Sequence, residues 1–166
     1  MSYGKIKRKD INTRGGLLPN SFEKYQVVYA GNIILRLTDL QNDHKSLRVG
    51  LVNETGIITS AYVCLNPNVI IMPQFLYYLL YTYDIKKIFY SMGNGIRQSS
   101  NYKEIRKLPI IVPKLFEQKE IADYLDRKCS EIDSLIDTLE KEISYFNELR
   151  KTIISNAVTG KIKIRK

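Results

Sequence analysis

Apolar residues follow two different rhythms along this chain. Up to Met72 they come in short runs of β-branched and aromatic residues, broken by polar or Gly-containing turns. Residues 25–29 and 33–37 read as strands separated by Ala30-Gly31-Asn32. After a polar stretch over 38–46, residues 47–52 and 56–65 predict two further strands joined through Asn53-Glu54-Thr55-Gly56. The second is apolar almost throughout, which predicts a strand buried on both faces. A helix is predicted over 73–90, with Pro73 in its first turn and Phe75, Leu76, Leu79, Leu80, Ile85, Ile88 and Phe89 burying most of its sides. Its Tyr77, Tyr78, Tyr81 and Tyr83 read as core residues with hydroxyls at the surface, the alternative being a platform on which bases stack. A Gly-rich loop over 91–102, a short basic element and an extended edge over 108–113 complete this part.

From Leu115 the rhythm becomes helical. Leu125, Cys129, Ile132, Ile136, Leu139, Ile143, Phe146, Arg150, Ile153 and Ala157 alternate four and three apart, a heptad seam broken by one charge. No Pro or Gly falls between Lys114 and Thr159, and Gly160 is placed to stop the helix. A 45-residue helix over 114–158 would span on the order of 68 Å. A stripe of that length calls for a partner helix, the alternative being a fold back onto its own domain. The fold class is therefore α+β: a small mixed domain over 1–113, a long C-terminal coiled-coil helix over 114–158, and a basic tail over 159–166.

Charge sharpens this division. The net charge of +9 resolves into +8 over 1–113, −3 over 114–158 and +4 over the tail. The basic excess points to a polyanionic partner for the first part, not for the helix. Hydrophobic content of 44% and charged content of 26% are those of a globular chain, which excludes wholesale disorder. No run approaches the roughly 18 apolar residues of a membrane span, and the amino end lacks the apolar core of a signal peptide. Cys64 and Cys129 stand alone, without the spacing of a zinc site. A cytoplasmic location with no membrane partner is expected.

The catalytic constellations are missing. Gly93-Asn94-Gly95 lacks the rest of a dinucleotide or P-loop fingerprint, and Asn66-Pro67-Asn68 lacks the Pro-aromatic pair of an amino-methyltransferase. Asp39 and Asp43 are not followed by a nuclease Glu-x-Lys, and His44 has no marked nucleophile beside it. A binding protein is expected, with no catalytic or metal site. Two loops carry side chains suited to DNA. One offers Arg36, Gln41, Asn42, Lys45 and Arg48; the other offers Arg97, Gln98, Ser99 and Asn101. Arg reaches guanine and Gln reaches adenine through paired hydrogen bonds, while Ser and Asn donors suit phosphates or base edges. The plain alternative for either loop is a solvated surface turn. The tail Lys161-Ile162-Lys163-Ile164-Arg165-Lys166 suits backbone contact or a frayed end, not sequence reading.

Several fragments, in order and at matching spacing, resemble the specificity (S) subunit of type I restriction–modification enzymes. They are Gly95-Ile96-Arg97-Gln98, Leu108-Pro109-Ile110-Ile111-Val112-Pro113, Glu117-Gln118-Lys119-Glu120-Ile121, Tyr124-Leu125-Asp126, Ile132-Asp133 and Ala157-Val158-Thr159-Gly160-Lys161-Ile162. Upstream, 36–43 and 56–62 are similar to parts of that family's target-recognition domain. The resemblance implies that 1–113 is a target-recognition domain, shortened at its amino end, that reads one half of a bipartite site in double-stranded DNA. It implies that the helix pairs with a second S half, or with its own copy, and docks the methyltransferase (M) subunit. The pairing surface would be Leu125, Ile132, Ile136, Leu139, Ile143, Phe146 and Ile153. A family member carries no cofactor: S-adenosylmethionine, ATP and magnesium belong to the M and restriction (R) subunits. Two departures stand out. A full-length member has two such domains and two such helices, and Lys114 stands where a proline is common. The alternative from another class is a coiled-coil assembly protein or a non-functional truncated remnant.

Overall fold

The computed structural model describes residues 6, 21–40, 45, 47–92 and 100–164. Among the described residues five three-residue strands come first: β1 (Gln26–Val28), β2 (Ile33–Leu35), β3 (Val49–Leu51), β4 (Gly56–Ile58) and β5 (Val63–Leu65). Helices α1 (Pro73–Ile85), α2 (Tyr102–Ile105) and α3 (Leu115–Val158) follow, with a 3-10 turn over Ile88–Ser91 between the first two. The architecture is α+β. By compactness the chain divides into Met1–Ala122 and Asp123–Lys166.

Within Met1–Ala122, β2 is the centre of an antiparallel sheet, with β3 on one side and β5 on the other. Ile34 lies opposite both Gly50 and Cys64. Its neighbours Ile33 and Leu35 point to the opposite face, as the two-residue period of a strand requires. There they join Leu37, Leu40, Val49, Phe75, Leu76, Leu80, Phe89 and Ile105 in the larger core. Ile34 packs with Val28 and Val52 on the other side, near Ile58, Tyr62 and Cys64. Those neighbours come partly from the two-stranded sheet β1–β4, in which Val27 lies opposite Ile57. The strand buried on both faces is therefore β2, not the 56–65 run.

That run is two strands in two different sheets. Thr59 and Ser60 interrupt its apolar pattern, and the chain reverses there, with Tyr62 N–H donating to the Thr59 carbonyl at 3.3 Å. The Gln26 side chain holds the reversal from β1 by donating to the carbonyls of Tyr62 (2.9 Å) and Thr59 (3.4 Å). The turn between β1 and β2 is sharper. Gly31 sits at φ +89°, and a side chain there would also come within 3.4 Å of Pro73.

The helix predicted over 73–90 also divides. It stops at Ile85, Lys87 adopts the left-handed conformation at φ 60°, and the 3-10 turn follows. The break carries Phe89 fully into the larger core, a position that a straight continuation from Ile85 would not supply. Tyr77, Tyr78, Tyr81 and Tyr83 are half-buried, and the Tyr83 hydroxyl donates to the Pro109 carbonyl at 2.8 Å. Residues 109–112 are exposed and pair with no strand among the described residues.

The start of α3 belongs to the same unit, and Gln118 is its fastener. This amide is 0% exposed. Its oxygen accepts from Met72 N–H at 2.8 Å, and its nitrogen donates to the carbonyls of Ile70 (3.0 Å) and Pro113 (2.9 Å). Met72 is the N-cap of α1, and its N–H is one of the donors that a helix start leaves without an intrahelical partner, so Gln118 supplies its acceptor. Ala122, one turn later, is buried as well.

The unit Asp123–Lys166 is the rest of α3 and its end. Gly160 stops the helix at φ +73°, with Thr159 N–H on the Ser155 carbonyl at 2.9 Å and Gly160 N–H on the Ala157 carbonyl at 3.3 Å. The Lys128–Glu131 pair at 2.7 Å sits on its solvated flank.

Candidate nucleic-acid interface

The loop between β2 and β3 is anchored from below. Leu37 and Leu40 drop into the larger core, and between them Asp39 takes the left-handed conformation at φ 58°. Arg48, the residue before β3, is 0% exposed. Its Nη1 donates to the carbonyls of Arg36 (3.1 Å) and Thr38 (2.8 Å), and its Nη2 to that of Asp39 (3.2 Å). Its Nε donates to the Tyr90 hydroxyl at 3.1 Å, and its backbone N–H donates to the Asp84 carboxylate. A buried cation needs its donors satisfied, and here all three guanidinium nitrogens donate into the interior. Arg48 is thus corrected from a DNA contact to an internal brace. Arg36 is half-buried and Lys45 exposed, while Gln41 and Asn42 lie outside the described residues.

The second loop leaves from the 3-10 turn that contains Tyr90 and returns at Ser100. Ser100 N–H donates to the Leu37 carbonyl at 2.9 Å, so the two loops meet directly. Ser100 Oγ donates to Glu104 at 2.6 Å, and Asn101 caps α2 by accepting from Lys103 N–H at 2.8 Å. Asn101 remains exposed, beside the exposed Tyr102, Lys103, Arg106 and Lys107 of the short basic element. Arg97, Gln98 and Ser99 lie outside the described residues. What is visible is that the stems of both loops converge, at Arg48–Tyr90 and at Leu37–Ser100. Sequence reasoning missed Tyr90, because nothing local distinguishes it from the other tyrosines of the run.

Below α2 an open groove of about 410 Å³ runs past Cys64, Asn66, Asn68, Tyr102 and Arg106. Burial pushes the Cys64 thiol up, since a thiolate is poorly solvated there. Among the described residues no group of three or more His, Cys, Asp or Glu could hold a metal ion, and no helix is long and apolar enough to cross a membrane.

Along α3 beyond Asp123 the apolar seam faces solvent. Ile132, Ile136, Leu139, Ile143, Phe146 and Ile153 are between 45% and 62% exposed, and Leu125 is half-buried. Leu135, Leu149 and Ile154, which the heptad count passed over, are exposed next to them and widen the stripe. A broader face of this kind is the pattern of a bundle helix as much as of a two-stranded seam, and counting flanking aliphatics would have found it.

The model for the type I restriction modification DNA specificity domain matches residues 48–145. The chain belongs to this family. The match starts at the bracing arginine and ends inside the exposed stripe, so it takes in parts of both units. A protein of Methanocaldococcus jannaschii that carries the name of type I restriction enzyme MjaX specificity subunit is 37% identical over 91 residues. That alignment covers 54% of this chain and 20% of the relative. A solved chain from work on complex assembly and conformational transition of the type I R-M system shares the fold, with a TM-score of 0.65 at 19% identity. It covers 80% of this chain and 31% of the solved one. This specificity-domain chain therefore spans about a fifth of the curated relative and about a third of the solved chain.

Proposed function

We propose that this chain is a DNA-reading half of a type I specificity subunit, acting in the cytoplasm and without catalysis of its own. The two loops over 36–48 and 91–102 read one half of a bipartite site in duplex DNA. Gln41, Asn42, Arg97, Gln98 and Ser99 supply base and phosphate contacts, with Arg36, Lys45 and Asn101 at the loop stems. The exposed stripe of α3 meets a second S half, or a second copy of the chain, and carries the M subunit, through which the R subunit joins. S-adenosylmethionine, ATP and magnesium act on those partners. The observation that carries this reading is the convergence of the two polar loop stems in a chain that belongs to the specificity-domain family. Separate loops would contact separate stretches of DNA, whereas joined stems let both address one short sequence.

The test is binding of the full chain to duplex libraries, followed by Arg97→Ala. A paired contact from Arg97 to guanine predicts a loss of about 1–3 kcal/mol on the selected sequence and much less on random duplex. An equal loss on both would leave Arg97 as a phosphate contact and remove base reading from it.

A further inference from the structure

The buried Arg48 is more than a filler of the core. From its place before β3 it gathers three carbonyls within four residues of the first loop stem, those of Arg36, Thr38 and Asp39. Its fourth hydrogen bond leaves that stem and ends on the Tyr90 hydroxyl, at the root of the second loop. The Tyr90 ring lies 5.1 Å from the Arg48 guanidinium carbon and 4.7 Å from Lys87 Nζ, so a cation rests on it from each of two chain segments. Lysine could not replace this arginine, because one ammonium cannot span three carbonyls and a hydroxyl in one plane. The Asp39 backbone, one of the carbonyls gripped, is in a conformation that non-glycine residues seldom adopt, so the stem is held in a chosen shape.

Resting on the DNA-reading role proposed above, we infer that Arg48 and Tyr90 are positioning residues for sequence discrimination: they clamp the two recognition loops in register without touching DNA. Base reading depends on donors and acceptors meeting within hydrogen-bond distance and angle, so a loop displaced by about an ångström loses the contact. Phosphate contacts by flexible Lys and Arg tolerate the same displacement. Loosening the clamp therefore erodes specificity before it erodes affinity for DNA in general. The Leu37–Ser100 backbone bond joins the same stems but involves no side chain, whereas Arg48 and Tyr90 join them through side chains that substitution can change.

The test uses the full chain. Duplexes bound by the wild-type chain are selected from a random library, and the ratio of its affinity for the selected sequence to that for a scrambled one is measured. Tyr90→Phe keeps the ring and removes only the hydroxyl, which receives Arg48 Nε at 3.1 Å and, from its own segment, Lys87 Nζ at 3.4 Å. It is expected to lower the ratio by about tenfold, the discrimination carried by one well-formed base contact. Arg48→Lys should lower it at least as far, and Tyr90→Phe keeps the question open to test should Arg48→Lys fail to fold. Val28→Ala, in the smaller core on the opposite face of the sheet, serves as a destabilised control and should keep the wild-type ratio. A wild-type ratio in Tyr90→Phe, or an equal loss in Val28→Ala, overturns the clamp while DNA reading stands. A wild-type chain that enriches no sequence overturns DNA reading and the clamp together.

Discussion

Met1–Ala122 hides polar groups, and Asp123–Lys166 displays apolar ones. In the first unit the guanidinium of Arg48 and the amide of Gln118 are fully buried, each with its hydrogen-bonding groups engaged. In the second, Ile132, Ile143 and Phe146 stand more than half exposed on the surface of a helix. Both arrangements depart from the ordinary sorting of residues, and for opposite reasons. A polar side chain goes inside when several backbone groups need one partner, as the carbonyls around Arg48 and Gln118 do. An apolar stripe stays outside when its own unit folds no second element over it, and exposed stripes of this kind mark surfaces suited to interaction.

The contrast can be attacked first where it costs most. Phe89→Ala empties the centre of the larger core and should lower stability by about 3–5 kcal/mol, read from urea unfolding of the full chain. A loss under about 1 kcal/mol would mean that the core relaxes around the site. Gln118→Ala comes next. It strands Met72 N–H and two carbonyls, so about 2–4 kcal/mol should be lost in the same measurement. Gln118→Glu should recover little, since a carboxylate cannot donate to the carbonyls of Ile70 and Pro113.

On the helix the same scale of change should do almost nothing to the folded unit. Ile136→Asp combined with Ile143→Asp is expected to shift the unfolding of Met1–Ala122 by no more than about 0.5 kcal/mol. Self-association or co-purification with the M subunit should nevertheless disappear, as followed by sedimentation and pull-down. Unchanged assembly would show that the stripe is not the interface. The mildest probe is the pair of thiols. At about pH 8 iodoacetamide should modify the exposed Cys129 well before the half-buried Cys64, whose raised pKa keeps it protonated. Thiolate formation at Cys64 opposes the folded state, so its contribution to stability is whole below the ordinary thiol range and is lost as pH rises through the raised value. Equal labelling rates in the native chain would contradict the burial assigned to β5.

Much of the architecture was legible in the sequence. The change of period at Leu115 marks α3, because a heptad stripe over many turns has no strand reading. Gly160 marks its end, since the φ of +73° found there suits glycine. The strands were legible as apolar runs, but their company was not. The division of 56–65 depends on Gln26, more than thirty residues upstream, holding the turn at Thr59 and Tyr62. The end of α1 at Ile85 depends on where Phe89 must go. At the candidate interface the loops were legible by composition, whereas the fate of Arg48 was not. An arginine in a polar stretch reads as a surface residue until the carbonyls of Arg36, Thr38 and Asp39 are seen to close around it.

The sequence by itself determined the periodicity, the basic and acidic halves, the long helix and the family, because these are properties of order along the chain. Only the tertiary structure decided which polar groups lie inside, which strand is central and that the two loops share one brace. Those outcomes depend on backbone groups far apart in sequence being brought within hydrogen-bond distance, and no local pattern encodes that meeting.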